Sequence, residues 1–77
     1  MIDKNILRYI PKKYHHMIAS LTVEKNAELN PDTGKMMNAY NVELNDGFIT
    51  MDGNTEFTVY SIGYLKFSLD ERISIKY

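Results

Sequence analysis

The chain has no cysteine, so neither a disulfide nor a thiolate metal site can supplement its packing. It has no apolar run near the roughly 20 residues that a membrane-crossing helix needs. The start, Met1-Ile2-Asp3-Lys4-Asn5, lacks the apolar core of a secretory signal. Internal repeats, low-complexity stretches and linkers are also missing. From Met36 to Leu65 there is no lysine or arginine, although Glu43, Asp46, Asp52 and Glu56 fall in that stretch. These absences point to a reducing, cytoplasmic setting without a membrane anchor. They also point to a core made only of aliphatic residues, methionines, tyrosines and phenylalanines.

With 77 residues, residues 1–77 read as one small domain. A chain of this size buries only about 60% of the surface that its unfolded form exposes. The net charge is −1, which does not mark a general nucleic-acid binder. The distribution is uneven: residues 1–16 carry Lys4, Arg8, Lys12 and Lys13 against Asp3 alone, while the middle is acidic.

Two long strands organise the pattern. From Ala19 to Leu29 the odd positions (Ala19, Leu21, Val23, Lys25, Ala27, Leu29) alternate with a polar even set, the period-two mark of a strand with one buried face. Pro31 and Gly34 suit a turn. Met36–Leu44 then carries its apolar set on even positions, interrupted by Asn38. Asp46-Gly47 signals a hairpin into a third strand, Phe48–Met51. After the turn Asp52-Gly53-Asn54, residues 56–60 are extended again, either continuing the third strand past a bulge or forming a fourth. Before the strands, Asp3 is positioned to cap a short helix ending before Pro11, and Lys12–Met17 reads as another helical turn. Tyr14, Met17 and Ile18 are expected on the core side, and Lys12, Lys13, His15 and His16 towards water.

The last segment supports two readings. Ile62, Leu65, Leu69 and Ile73 recur at helical spacing behind Ser61, a good cap. Yet Leu65, Phe67 and Leu69 alternate, as do Ile73, Ile75 and Tyr77, which fits a terminal hairpin turning at Asp70-Glu71.

The stretch Tyr9-Ile10-Pro11-Lys12-Lys13-Tyr14-His15-His16-Met17-Ile18, the turn Asp46-Gly47-Phe48 and the pair Ser61-Ile62 resemble a group of small proteins from Gram-positive bacteria, their phages and mobile elements. Gly63, Tyr64 and Phe67 depart from the helix formers usual in that group's last segment. The resemblance favours the helical reading. It gives an α+β fold of N-terminal helix, three-stranded antiparallel sheet and C-terminal helix (αβββα), with a mostly β meander ending in a hairpin as the alternative. It implies no activity or cofactor, only the context of a small accessory protein in a bacterial or phage genome.

Chemistry-bearing patterns are few. His15 and His16 are adjacent and have no further His or Cys to complete a zinc site. The acidic residues fall at turn positions without the alternation of a calcium loop. Gly34-Lys35 lacks the rest of a phosphate-binding loop. Ser20, Ser61, Ser68 and Ser74 have no nucleophile context. Neither an enzyme nor a metal or other cofactor is expected.

Three readings remain. In the first, Glu43, Asp46, Phe48, Asp52 and Glu56 form a partner-binding surface of an accessory protein that occludes a host protein, such as a CRISPR-associated nuclease or another defence component. In the second, Arg8, Lys12 and Lys13 bind nucleic acid in a topology like that of double-stranded-RNA-binding domains. That reading is weakened because Ser61–Leu65, where the last helix begins, carries no basic residue. In the third, open sheet edges pair two copies into a homodimer.

Overall fold

A computed structural model describes residues 1–76. In chain order the elements are α1 (Lys4–Leu7), a 3₁₀ segment (Lys12–Met17), β1 (Ile18–Leu29), β2 (Met36–Leu44), β3 (Phe48–Thr50), β4 (Glu56–Val59), α2 (Ile62–Glu71) and β5 (Ile73–Ile75). The fold is α+β. One antiparallel sheet has three strands in the order β1-β2-β4, and a second pairs β3 with β5.

Local chemistry accounts for the start of the chain. The Asp3 carboxylate accepts from the N–H groups of Asn5 and Ile6 and caps α1. Pro11 precedes the 3₁₀ segment, where its fixed φ suits helical entry. Ile10 and Ile18, on either side of that segment, are both buried. His15 turns inward rather than to water, with Nε2 2.8 Å from the Ile10 carbonyl oxygen. Tyr14 packs against the core as expected, and its hydroxyl donates to the Asp70 carboxylate on α2.

The long hairpin sets the core. Leu21 lies opposite Val42 and Val23 opposite Tyr40, so all four point to one face, where α2 covers them with Leu65 and Leu69. The alternation predicted through to Leu29 does not hold to the end of β1. Between Glu24 and Glu28 the register slips, leaving Lys25, Asn26 and Ala27 opposite Asn38 alone. Asn26 takes a left-handed φ of 54°. Its N–H donates to Asn38 Oδ1 at 3.2 Å, which explains the polar interruption in β2. Beyond the slip, Leu29 and Met36 pair across the hairpin but are 56% and 50% exposed. Length explains this: a 12-residue strand runs to about 40 Å, whereas a 10-residue helix covers only about 15 Å.

The helix, three strands, helix order is not reproduced as such. β3 (Phe48–Thr50) lies outside the main sheet, and β4, a separate strand, takes the place beside β2. The final segment divides between the two readings. Ser61 Oγ accepts from the Tyr64 N–H and starts α2, which places Leu65 and Leu69 in the core. The chain then becomes extended, and β5 pairs with β3: Phe48 with Ile75, Ile49 with Ser74 and Thr50 with Ile73. Strand residues outnumber helical ones, which also accords with a mostly β content. The expected hairpin of Leu65–Leu69 against the chain end is not formed, and Tyr77 lies outside the described residues.

Candidate functional site

Even residues of β2 (Tyr40, Val42, Leu44) are buried, so Asn41 and Glu43 point to the outer face of the sheet, away from α2. In register beside them on β4 are Thr58 and Glu56, and on β1 Thr22 and Ser20. This face is polar. Thr58 Oγ1 donates to Asn41 Oδ1 at 2.7 Å. A shallow groove of about 500 Å³ runs over it, lined by Ser20, Thr22, Asn41, Glu43, Glu56 and Thr58 among others. Glu43 and Glu56 are direct cross-strand neighbours. A like-charged pair in that position is destabilising.

At the end of this face the turn after β2 brings in Asp46. The turn is held from below: Asn45 N–H donates to the Met17 carbonyl at 2.8 Å. The Asn45 side-chain amide donates to the carbonyls of His16 (2.7 Å) and Ile18 (3.2 Å). Gly47 completes the turn at φ 96°. Glu43, Asp46, Phe48 and Glu56 all border one depression of about 240 Å³. Lys76 borders it too, its N–H donating to the Gly47 carbonyl at 2.7 Å. The acidic rim therefore includes a lysine from the chain's last segment.

Two of the sequence candidates have different surroundings from those expected. Phe48 is half-buried, packs against the core and meets the His16 ring edge-on at 5.3 Å between centroids, so it supports the turn more than it presents a free anchor. Asp52 is exposed in the turn after β3, beside Met51, Tyr64 and Arg72, and does not border the depression shared by the other acids. Arg8, Lys12 and Lys13 are exposed. The Arg8 guanidinium stands 6.0 Å from the Tyr9 ring centroid and the Lys13 ammonium 5.1 Å from that of Tyr14.

Sequence reasoning did not single out the exposed aromatic side of α2. Tyr64 and Phe67 are 50% and 46% exposed with ring centroids 5.7 Å apart, and Tyr60 before the helix is 44% exposed. The available signal was the same one that counted against a helix: aromatic residues where helix formers are usual. Among the described residues, no three His, Cys, Asp or Glu side chains come together in a way that could hold a metal ion, and no helix is long and apolar enough to cross a membrane. Fold and surface together define a small α+β protein with a polar, acid-rimmed sheet face. No known family model, curated protein or solved structure is significantly similar to this chain.

Proposed function

We propose that this protein is a non-enzymatic binding module, an accessory protein of a phage or mobile element, that occludes a larger host protein. The partner class put forward is a defence nuclease of the CRISPR-associated kind. The reading rests chiefly on the Glu43–Glu56 cross-strand pair, extended by Asp46, on an outward sheet face. Two carboxylates set opposite each other weaken a sheet, and local choices that work against stability tend to fall at functional sites. A rigid sheet holds these charges where a basic cleft of a nuclease would otherwise hold phosphates, and electrostatic complementarity of this sort sets encounter rate and specificity. The resemblance of the Tyr9–Ile18 stretch to small phage and mobile-element proteins supports the same context.

The test is to titrate the purified protein into a panel of purified CRISPR-associated nucleases and read DNA cleavage. Inhibition of one of them is expected, to be lost in the double variant Glu43→Lys, Glu56→Lys. Asp52→Lys, outside the depression that the pair borders, is expected to weaken it less. Absence of inhibition across the panel, or inhibition indifferent to Glu43 and Glu56, overturns the reading.

A further inference from the structure

The main sheet has two edges, and they are not equivalent. The β1 edge is obstructed. Ile2 bridges to Leu21, with the Asp3 N–H donating to the Leu21 carbonyl (2.7 Å) and the Leu21 N–H to that of Met1 (2.9 Å). Further along, the left-handed Asn26 and the charges of Glu24, Lys25 and Glu28 break the edge, devices that discourage strand pairing.

β4 has neither a bridging segment nor a left-handed residue, and Glu56 is its one charge. The Leu44 N–H donates to the Thr55 carbonyl at 2.8 Å, and alternate residues along this antiparallel register follow the same pattern. Phe57 and Val59, opposite Val42 and Tyr40, therefore turn their N–H and C=O groups towards β2, and Glu56 and Thr58 turn theirs away from it. No turn, loop or neighbouring element among the described residues takes those outward groups up. Depressions flank this edge: one of about 150 Å³ bordered by Met51, Phe57, Tyr64 and Arg72, the other of about 390 Å³ bordered by Met37, Tyr60 and Tyr64.

We propose that β4 is a strand-addition site. An extended segment of the partner protein pairs with the outward groups of Glu56 and Thr58 and seats side chains on either side of Tyr64. Backbone pairing supplies affinity in such complexes, and pockets for alternate side chains supply specificity. The two faces fix the segment's chemistry. Its inward side chains meet Met51, Phe57 and Tyr64 and are apolar. Its outward ones continue the face bearing Glu43 and Glu56 and are basic. The added strand thus alternates lysine or arginine with apolar residues, and it supplies the positive charge that the Glu43–Glu56 pair lacks across the ladder. This inference rests on the protein-binding reading and says how the partner is held.

The probe is a short acetylated and amidated peptide alternating Lys and Val, with a Glu–Val peptide as control, added to the isotopically labelled protein. Slowed amide exchange at Glu56 and Thr58 with the Lys peptide alone is expected. Because the Thr58 N–H faces away from β2, Thr58→Pro leaves the β2–β4 ladder intact and weakens binding about tenfold or more. Should Thr58→Pro fail to fold, Glu56→Lys, which relieves a like-charge pair, transfers the preference to the Glu–Val peptide. Binding that leaves both amides unprotected, or that survives Thr58→Pro, overturns the proposal. So does concentration-dependent protection of Thr58 without peptide, accompanied by a dimer in sedimentation, since a second copy then occupies the edge. If Thr58→Pro still inhibits the nuclease while the Glu43→Lys, Glu56→Lys variant does not, strand addition fails and the binding-module reading stands. If neither change matters, both fail.

Discussion

Tyr14 shows how much a single side chain can tie together in so small a protein. Its hydroxyl donates to the Asp70 carboxylate and joins the 3₁₀ segment to α2 across 56 positions of sequence. That hydrogen bond, with some desolvation, raises the phenol above its ordinary value of 10.0 even though Lys13 pulls the other way. A group raised on folding contributes its stability in full below the unfolded value and loses it as the pH climbs through the folded one. Wild type is therefore expected to be more stable than Tyr14→Phe at pH 8, with the difference vanishing in strongly alkaline buffer, as read from urea midpoints. At this scale the caps were legible: Asp3 and Ser61 act on N–H groups two or three residues away, within reach of local reasoning. Asn38 and Asn45 were not, because their partners, Asn26, His16 and Ile18, are brought near only by the completed hairpin.

Among the elements, β1 and β2 and their buried faces were legible from alternation, and Leu21, Val23, Tyr40 and Val42 stand together as that pattern requires. The slip at Asn26 was hidden because a bulge leaves composition unchanged. Left-handed backbone costs an ordinary residue about 1–2 kcal/mol, glycine much less, and asparagine an intermediate amount. Asn26→Ala is thus expected to lower the unfolding free energy by about 1 kcal/mol, and Asn26→Gly to leave it within a few tenths, both by denaturant titration. The final segment looked double because it is double: helical spacing holds to Leu69, alternation returns at Ile73, and Arg72 marks the change. Which strand would receive β3 was not legible, since a three-residue strand carries too few positions to specify a partner. The placement of the acidic candidates was half legible. Glu43, Asp46 and Glu56 converge, but Lys76 joins them only through the β3–β5 pairing, and Asp52 is carried away by the same excursion.

For the molecule as a whole, the burden falls on very few side chains. Leu21, Leu65 and Leu69 are the largest fully buried ones. Removing a buried leucine side chain costs about 2–5 kcal/mol, against a total near 4–12 kcal/mol for a chain of this length. Leu65→Ala is expected to shift the urea midpoint down by at least about a sixth of its value, or to leave the chain unfolded by circular dichroism. The longest dimension, 42 Å against 26 and 18 Å for the others, comes with a hairpin that outruns its helix. The far third of that hairpin is a boom carrying almost no structural load. Its crown, Asn30 to Lys35, is open to solvent apart from the half-buried Asn30, and lengthening a loop raises closure entropy only slowly. A fluorophore or epitope spliced in there would ride clear of both sheet faces and report on the protein without entering its chemistry.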